Sequence, residues 1–310
     1  MIILLVIILI GFSVFFAALW IWFFKKTQNA CLKWYQEAQF LLEKEKYKKA
    51  KELFLKVYGS DSNFENIKYN LAFAHLKVGE FAEARKLLEE VIKASPKNYD
   101  VLFNLAQAYD ALEMYDEAEN FYQKALMEKE QSLDCYLKIG VIRYKQKNYS
   151  SALEILERGR LLFAENVEIR FYITKCKEAL CDMENPDEYA ILMEEYSQLV
   201  ENYYLSSDFI VSIAEFYAKL GEINSVIKYC QKAISLNPED VNAHKLLGLA
   251  QLSNRDFIKA KHTLSTALHF QPFNEDLHNL LSYVVCQAES DCGLDKCREK
   301  YMEIIKKFKK

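Results

Sequence analysis

The sequence predicts an all-α protein, and three observations carry that prediction. Only 8 Gly and 4 Pro punctuate 310 residues, too few for sheet folds with their many tight turns. Hydrophobic residues make up 51% of the chain and Lys, Glu, Leu, Ala, Tyr and Phe dominate, a mixture suited to amphipathic helices with bulky cores. An aromatic-x-x-small pattern also recurs at a fixed spacing of 34 residues, the length of one helix-turn-helix unit. The formal net charge of −4 argues against a nucleic-acid partner, which needs a basic face.

The first element is Met1 to Phe24, which carries no charged side chain. A helix of that length spans roughly 36 Å, enough to cross a hydrocarbon core of about 30 Å with some tilt. Trp20 and Trp22 stand near its end, where amphipathic rings suit an interface. A cleaved signal peptide needs a basic start, a shorter apolar run and a small-residue cleavage site, and none is present. Residues 1–24 are therefore expected to form a transmembrane helix, followed by a basic juxtamembrane linker over 25–30. Nothing basic precedes the span except the amino terminus, while Lys25, Lys26 and Lys33 follow it, so the remainder is expected on the cytoplasmic side. Eight cysteines without a regular framework suit free thiols in a reducing compartment. The spaced pairs Cys176/Cys181 and Cys292/Cys297 keep an extracytoplasmic, envelope-assembly alternative open.

The repeat occupies the chain beyond this segment. Tyr47-Lys-Lys-Ala50, Phe81-Ala-Glu-Ala84, Tyr115-Asp-Glu-Ala118 and Tyr149-Ser-Ser-Ala152 are successive copies, and Ile223-Asn-Ser-Val226 and Phe257-Ile-Lys-Ala260 are two more. A small residue lets the second helix of a hairpin approach the first, and the aromatic three places earlier fills the neighbouring gap. On these residues the chain resembles the tetratricopeptide-repeat family. Tyr99 to Ser132 is the clearest copy, with Leu105, Ala106, Tyr109, Tyr115, Ala118, Tyr122 and Ala125 in the family's slots; Val241 to Asn274 is close behind. The frames are 31–64, 65–98, 99–132, 133–166, 207–240 and 241–274, with a degenerate unit over 167–206 and a C-terminal cap over 275–310. Pro96, Pro238 and Pro272 close three of them.

The resemblance implies a right-handed superhelical solenoid whose first helices line a concave groove, and binding of other proteins rather than catalysis. The groove-facing slots hold Tyr69, Asn70 and Phe73, then Phe103, Asn104 and Gln107, then Leu137, Val141 and Tyr144. The apolar members would form a contiguous floor. Asn70 and Asn104 would stack along it, each amide able to grip a peptide backbone from both sides; the competing role for them is to tie helices together. An extended segment or helix of another protein is the expected occupant, with no small-molecule substrate. The Lys/Asn/Arg set with which chaperone-tail receptors of this family clamp a carboxylate is missing, since its slots hold Tyr69, Phe73, Asn104, Asp134 and Lys138.

Catalysis finds no phosphate loop, nucleophile elbow or His-Glu-x-x-His, and no cofactor is expected. A zinc site from His244, His278, Cys286, Cys292 and Cys297 is a weak alternative, because the cysteine spacings are wrong for it. The layout also resembles bacterial lipopolysaccharide-assembly repeat proteins with one span and a basic pair. Their two terminal Cys-x-x-Cys pairs are absent here, so only the architecture carries over.

Overall fold

A computed structural model describes residues 2–60, 64, 66–182 and 185–288, with the side chains of 2–14, 17, 18 and 24 outside the description. Among the described residues the ordered elements are helices, without a strand. The chain divides into two compact units, Met1–Phe163 and Ala164–Lys310.

Unit 1 holds α1 (Ile2–Glu43), α2 (Tyr47–Tyr58), α3 (Ile67–Val78), α4 (Phe81–Ala94), α5 (Tyr99–Ala111), α6 (Tyr115–Glu128), α7 (Leu133–Lys145) and α8 (Tyr149–Leu162). Each helix packs on its neighbours in the chain, giving a stack of hairpins. The repeated aromatics Tyr47, Phe81, Tyr115 and Tyr149 are the first residues of α2, α4, α6 and α8. Their small partners Ala50, Ala84, Ala118 and Ala152 are fully buried, at 0% exposure, where the paired helices come closest. Phe54, Leu88, Tyr122 and Leu156 fill the space one turn on. Such a side chain contributes roughly 1.5–3 kcal/mol when removed from water. At Gly140 the approach is tighter still, since a Cβ there would lie 2.4 Å from Leu156 Cδ2.

The hairpin turns share one device. Glu45, Gly79, Glu113 and Lys147, each two places before a second helix, take left-handed backbone with φ of 56°, 89°, 59° and 63°. One such residue reverses the chain and frees the next helix to start. First helices are capped from the last residue of the preceding frame: Asn98 Oδ1 accepts from Val101 N at 3.2 Å and Ser132 Oγ from Cys135 N at 3.3 Å.

Residues 25–30, read as a linker, continue α1 without a break, because Lys-Lys-Thr-Gln-Asn-Ala contains neither Gly nor Pro to end a helix. Among the described residues no helix is long and apolar enough to cross a membrane. The anchor expected over 1–24 falls mostly on side chains outside the description. Trp20 and Trp22 are described and exposed, and Lys26 Nζ lies 5.1 Å from the centre of the Trp22 ring.

Unit 2 holds α9 (Val167–Leu180), α10 (Pro186–Asn202), α11 (Ser207–Lys219), α12 (Ile223–Leu236), α13 (Val241–Ser253), α14 (Phe257–Phe270) and α15 (Glu275–Ala288). The irregular stretch 167–206 is a helical hairpin whose second helix runs for 17 residues, starting from Pro186. The left-handed turn residue of the regular copies is missing there among the described residues, and returns as Gly221 and Arg255. A core of Tyr196, Phe216, Tyr217 and Tyr229 joins α10, α11 and α12. Pro238 and Pro272 follow the ends of α12 and α14 as expected. Of the cap, α15 is described and 289–310 lie outside the description.

Candidate functional site

The nine residues assigned to the groove lie on α3, α5 and α7, the first helices of three successive hairpins in unit 1. The structure corrects how open they are. Asn104 is buried at 7% exposure, and Tyr69, Asn70, Phe73, Phe103, Gln107, Leu137, Val141 and Tyr144 are half-buried. The floor is therefore a shallow seam rather than a broad exposed patch. Its aromatic rings are partly spent on packing: Phe103 stacks on Tyr99 at 5.7 Å and meets the Tyr122 edge at 5.4 Å.

The two asparagines make a ladder. Asn70 Nδ2 donates to Tyr35 Oη at 2.9 Å, and Asn104 Nδ2 donates to Tyr69 Oη at 2.9 Å. Each amide thus ties its helix to the first helix of the preceding repeat. This is the helix-tying role, and it uses part of the hydrogen-bonding capacity that backbone gripping would require. Burial, then the Asp100 charge, push the Tyr69 hydroxyl up to about 12, against the downward pull of the Asn104 bond.

Two cavities open along these helices. One of 260 Å³ takes in Tyr35, Asn66, Tyr69, Asn70 and Asp100. The other, of 310 Å³, takes in Gln107 together with Lys77, Asp110, Tyr122, Lys138 and Lys145. Phe73, Phe103, Leu137, Val141 and Tyr144 line neither. Of the second group, the hydroxyl of Tyr122 carries no sequence signal as a site residue, because a residue of a second helix belongs by pattern to the core. A third cavity, of 720 Å³, lies among α6, α7 and α8, with Met127 and Leu162 exposed at its edge.

The tetratricopeptide-repeat profile matches residues 41–94, 76–138, 134–158 and 207–240. The chain carries tetratricopeptide repeats. A tetratricopeptide repeat protein from Parabacteroides merdae shares the fold, with a TM-score of 0.66 at 16% identity over 83% of this chain and 99% of that one. Among curated proteins, human protein O-mannosyl-transferase TMTC3 is 24% identical over 79% of this chain and 27% of its own length. Mouse BBSome complex member BBS4 is 22% identical over 74% of this chain and 49% of its own length. The chain thus spans a quarter to a half of these relatives.

In the tetratricopeptide frame, His244 and His278 occupy the same slot of successive repeats. Their Nε2 atoms donate to the carbonyls of Pro238 and Pro272 at 2.9 and 2.7 Å, closing each repeat onto the next. Those bonds engage one nitrogen of each ring, and no group of three or more metal-ligating side chains occurs among the described residues. Cys292 and Cys297 lie outside the description. The described cysteines, Cys176 and Cys181 included, are free thiols.

Proposed function

We propose that this protein is a membrane-anchored scaffold that binds a segment of another protein along α3, α5 and α7, in the assembly or regulation of a membrane-associated complex. The observation that carries the reading is the pair of cavities on these first helices, one lined from the starts and one from the ends of α3 and α5, which supply side-chain pockets flanking a half-buried aromatic seam. Pockets spaced along a shallow apolar track suit an extended strand or a helix laid across several repeats. Membership of the BBSome complex, which the BBS4 relative carries in its name, is in keeping with a role in assembly. Transfer of mannose is named for TMTC3, of which the chain spans 27%, and is not proposed here.

Anchoring rests on the uncharged run 1–24, with Trp20 and Trp22 before Lys25, Lys26 and Lys33. A basic flank of this kind favours the cytoplasmic side for the repeats. Confinement to a plane then raises the effective concentration of the scaffold toward membrane partners.

A crosslinking pull-down from membranes tests the reading, comparing the native chain with Gln107→Arg and Val141→Arg variants. The expected result is that a native partner is lost from both variants while their helical content and melting are retained. Undiminished capture by both would move the binding surface elsewhere. Alkaline extraction of the membranes tests the anchor, which must stay in the pellet.

A further inference from the structure

The helix α1 runs past the uncharged segment without a break and becomes the first helix of the first hairpin. One face of this continuation packs inward: Cys31 and Ala38 are buried, and Tyr35 and Leu42 pack beside them. The opposite face stays open. Trp22, Lys26, Asn29 and Lys33 follow one another at intervals of four, three and four, so they fall within roughly 60° of arc, and Lys25 borders them. All five side chains are exposed, and together they line a shallow hollow of 510 Å³.

Charge sets this face apart. No acidic residue precedes Glu37, and Lys25, Lys26 and Lys33 enter no ion pair among the described residues. The formal charge of the chain is −4 with these lysines counted, so the rest of it is acidic on balance. Height along the helix is the second constraint. Lys33 stands nine residues beyond Phe24, about 14 Å at 1.5 Å per residue, whereas a headgroup layer is roughly 5–7 Å deep. Helical side chains lean toward the N-terminus, here the side of the uncharged run, and a lysine stem carries its charge well beyond its own Cα. With a tilt of about 20° toward this face, common for spans, the Lys33 ammonium reaches the layer that Lys25 and Lys26 already occupy.

We propose that this stripe is a binding site for the phosphate-bearing headgroups of anionic membrane lipids. Lys25, Lys26 and Lys33 supply the charge, the Asn29 amide supplies a neutral donor, and the Trp22 ring sits at the interface. Because α1 is unbroken, the same contacts fix the roll of the first hairpin about the membrane normal. They hold Tyr35, which receives the Asn70 amide at one end of the partner-binding face, roughly 16 Å from the uncharged run. The bland alternative is that lysines beside a span only set its orientation during insertion. Lys25 and Lys26 fit that account. A third lysine two turns on, in register with Trp22 and Lys26, gains nothing from it.

The site rests on the reading of 1–24 as a membrane anchor, and the test separates the two. The full-length chain is reconstituted into phosphatidylcholine vesicles with or without phosphatidylserine, and spin-labelled forms of each lipid report the fraction held at the protein. Labelled phosphatidylserine should be held about fivefold more strongly than phosphatidylcholine, a preference that shrinks as salt is raised. It should vanish in a Lys25→Gln/Lys26→Gln/Lys33→Gln variant and fall about twofold in Lys33→Gln. Lys44→Gln, about 30 Å from the uncharged run on the same helix, should leave it unchanged. Inorganic phosphate at matched ionic strength should not displace the lipid; displacement would make the stripe a site for free anions and overturn the membrane assignment. Equal retention of the two lipids, or a preference that survives the triple variant, overturns the site and leaves the anchor standing. A chain that fails to float with the vesicles overturns both.

Discussion

At the scale of single residues, the asparagine ladder reverses what the bare slots suggest. Freely accessible amides would let Asn70 and Asn104 be replaced with little change in stability. Asn104 instead is buried and bonded to Tyr69. Asn104→Ala should therefore cost about 1–3 kcal/mol, since it also strips a partner from the half-buried Tyr69 hydroxyl. Asn70→Ala, at a half-buried site, should cost less; denaturant titration of each variant measures both. The hairpin turns give a second residue-level expectation. Gly79→Ala should lose roughly 1 kcal/mol, the penalty of a side chain in the left-handed region. Lys147→Gly, which relieves that strain at φ 63°, should be neutral or stabilising in the same assay. The sequence announces only two of the six turn positions, through Gly79 and Gly221. Glu45, Glu113, Lys147 and Arg255 carry no local signal, because the closure of the hairpin imposes their conformation. The histidine bonds to Pro238 and Pro272 were hidden for a similar reason: they join side chain to backbone across a turn.

At the scale of elements, the regular hairpins were legible because Tyr47, Phe81, Tyr115 and Tyr149 mark helix starts and Ala50, Ala84, Ala118 and Ala152 mark contacts. The irregular hairpin was not, because a different device holds it. Glu178 on α9 is buried and receives Tyr196 Oη at 2.6 Å, Lys175 Nζ at 2.8 Å and Lys219 Nζ at 2.7 Å. One carboxylate thereby fastens α10 and α11 to α9. Burial pushes the Glu178 carboxyl up, but the Lys175 charge and these hydrogen bonds outweigh it, and the net shift is downward. A lowered folded value means stability that is present above the ordinary glutamate range and lost as pH falls through the folded value. Glu178→Ala should accordingly destabilise unit 2 by about 3–5 kcal/mol near neutrality, as breaking a buried ion pair does. The deficit relative to the native chain should shrink on acidification. A constant deficit down to acid pH would show the loss to be one of packing alone.

For the whole molecule, the thiols and phenols set the alkaline limit. Burial raises Cys176 and Cys230 from 9.0 to about 12, with the Asp240 and Glu215 charges adding at Cys230. Tyr69 and Tyr109 rise from 10.0 to about 12, again chiefly by burial. All four titrate earlier when unfolded. Their contribution is intact below about pH 9 and is lost as pH rises toward 12, so melting temperature should fall across that window. Replacing Cys176 and Cys230 with Ala or Ser should flatten the early part of that fall.

The central claim is that α3, α5 and α7 present the face that holds a partner protein, and site-specific photocrosslinking in the full-length chain tests it most directly. A photoreactive side chain replaces Phe73, Gln107 or Val141 on that face, or Met127 at the edge of the cavity among α6, α7 and α8. The account predicts a common crosslinked partner from the first three positions and none from Met127. Crosslinks from Met127 alone would contradict it and transfer the binding site to the second-helix cavity.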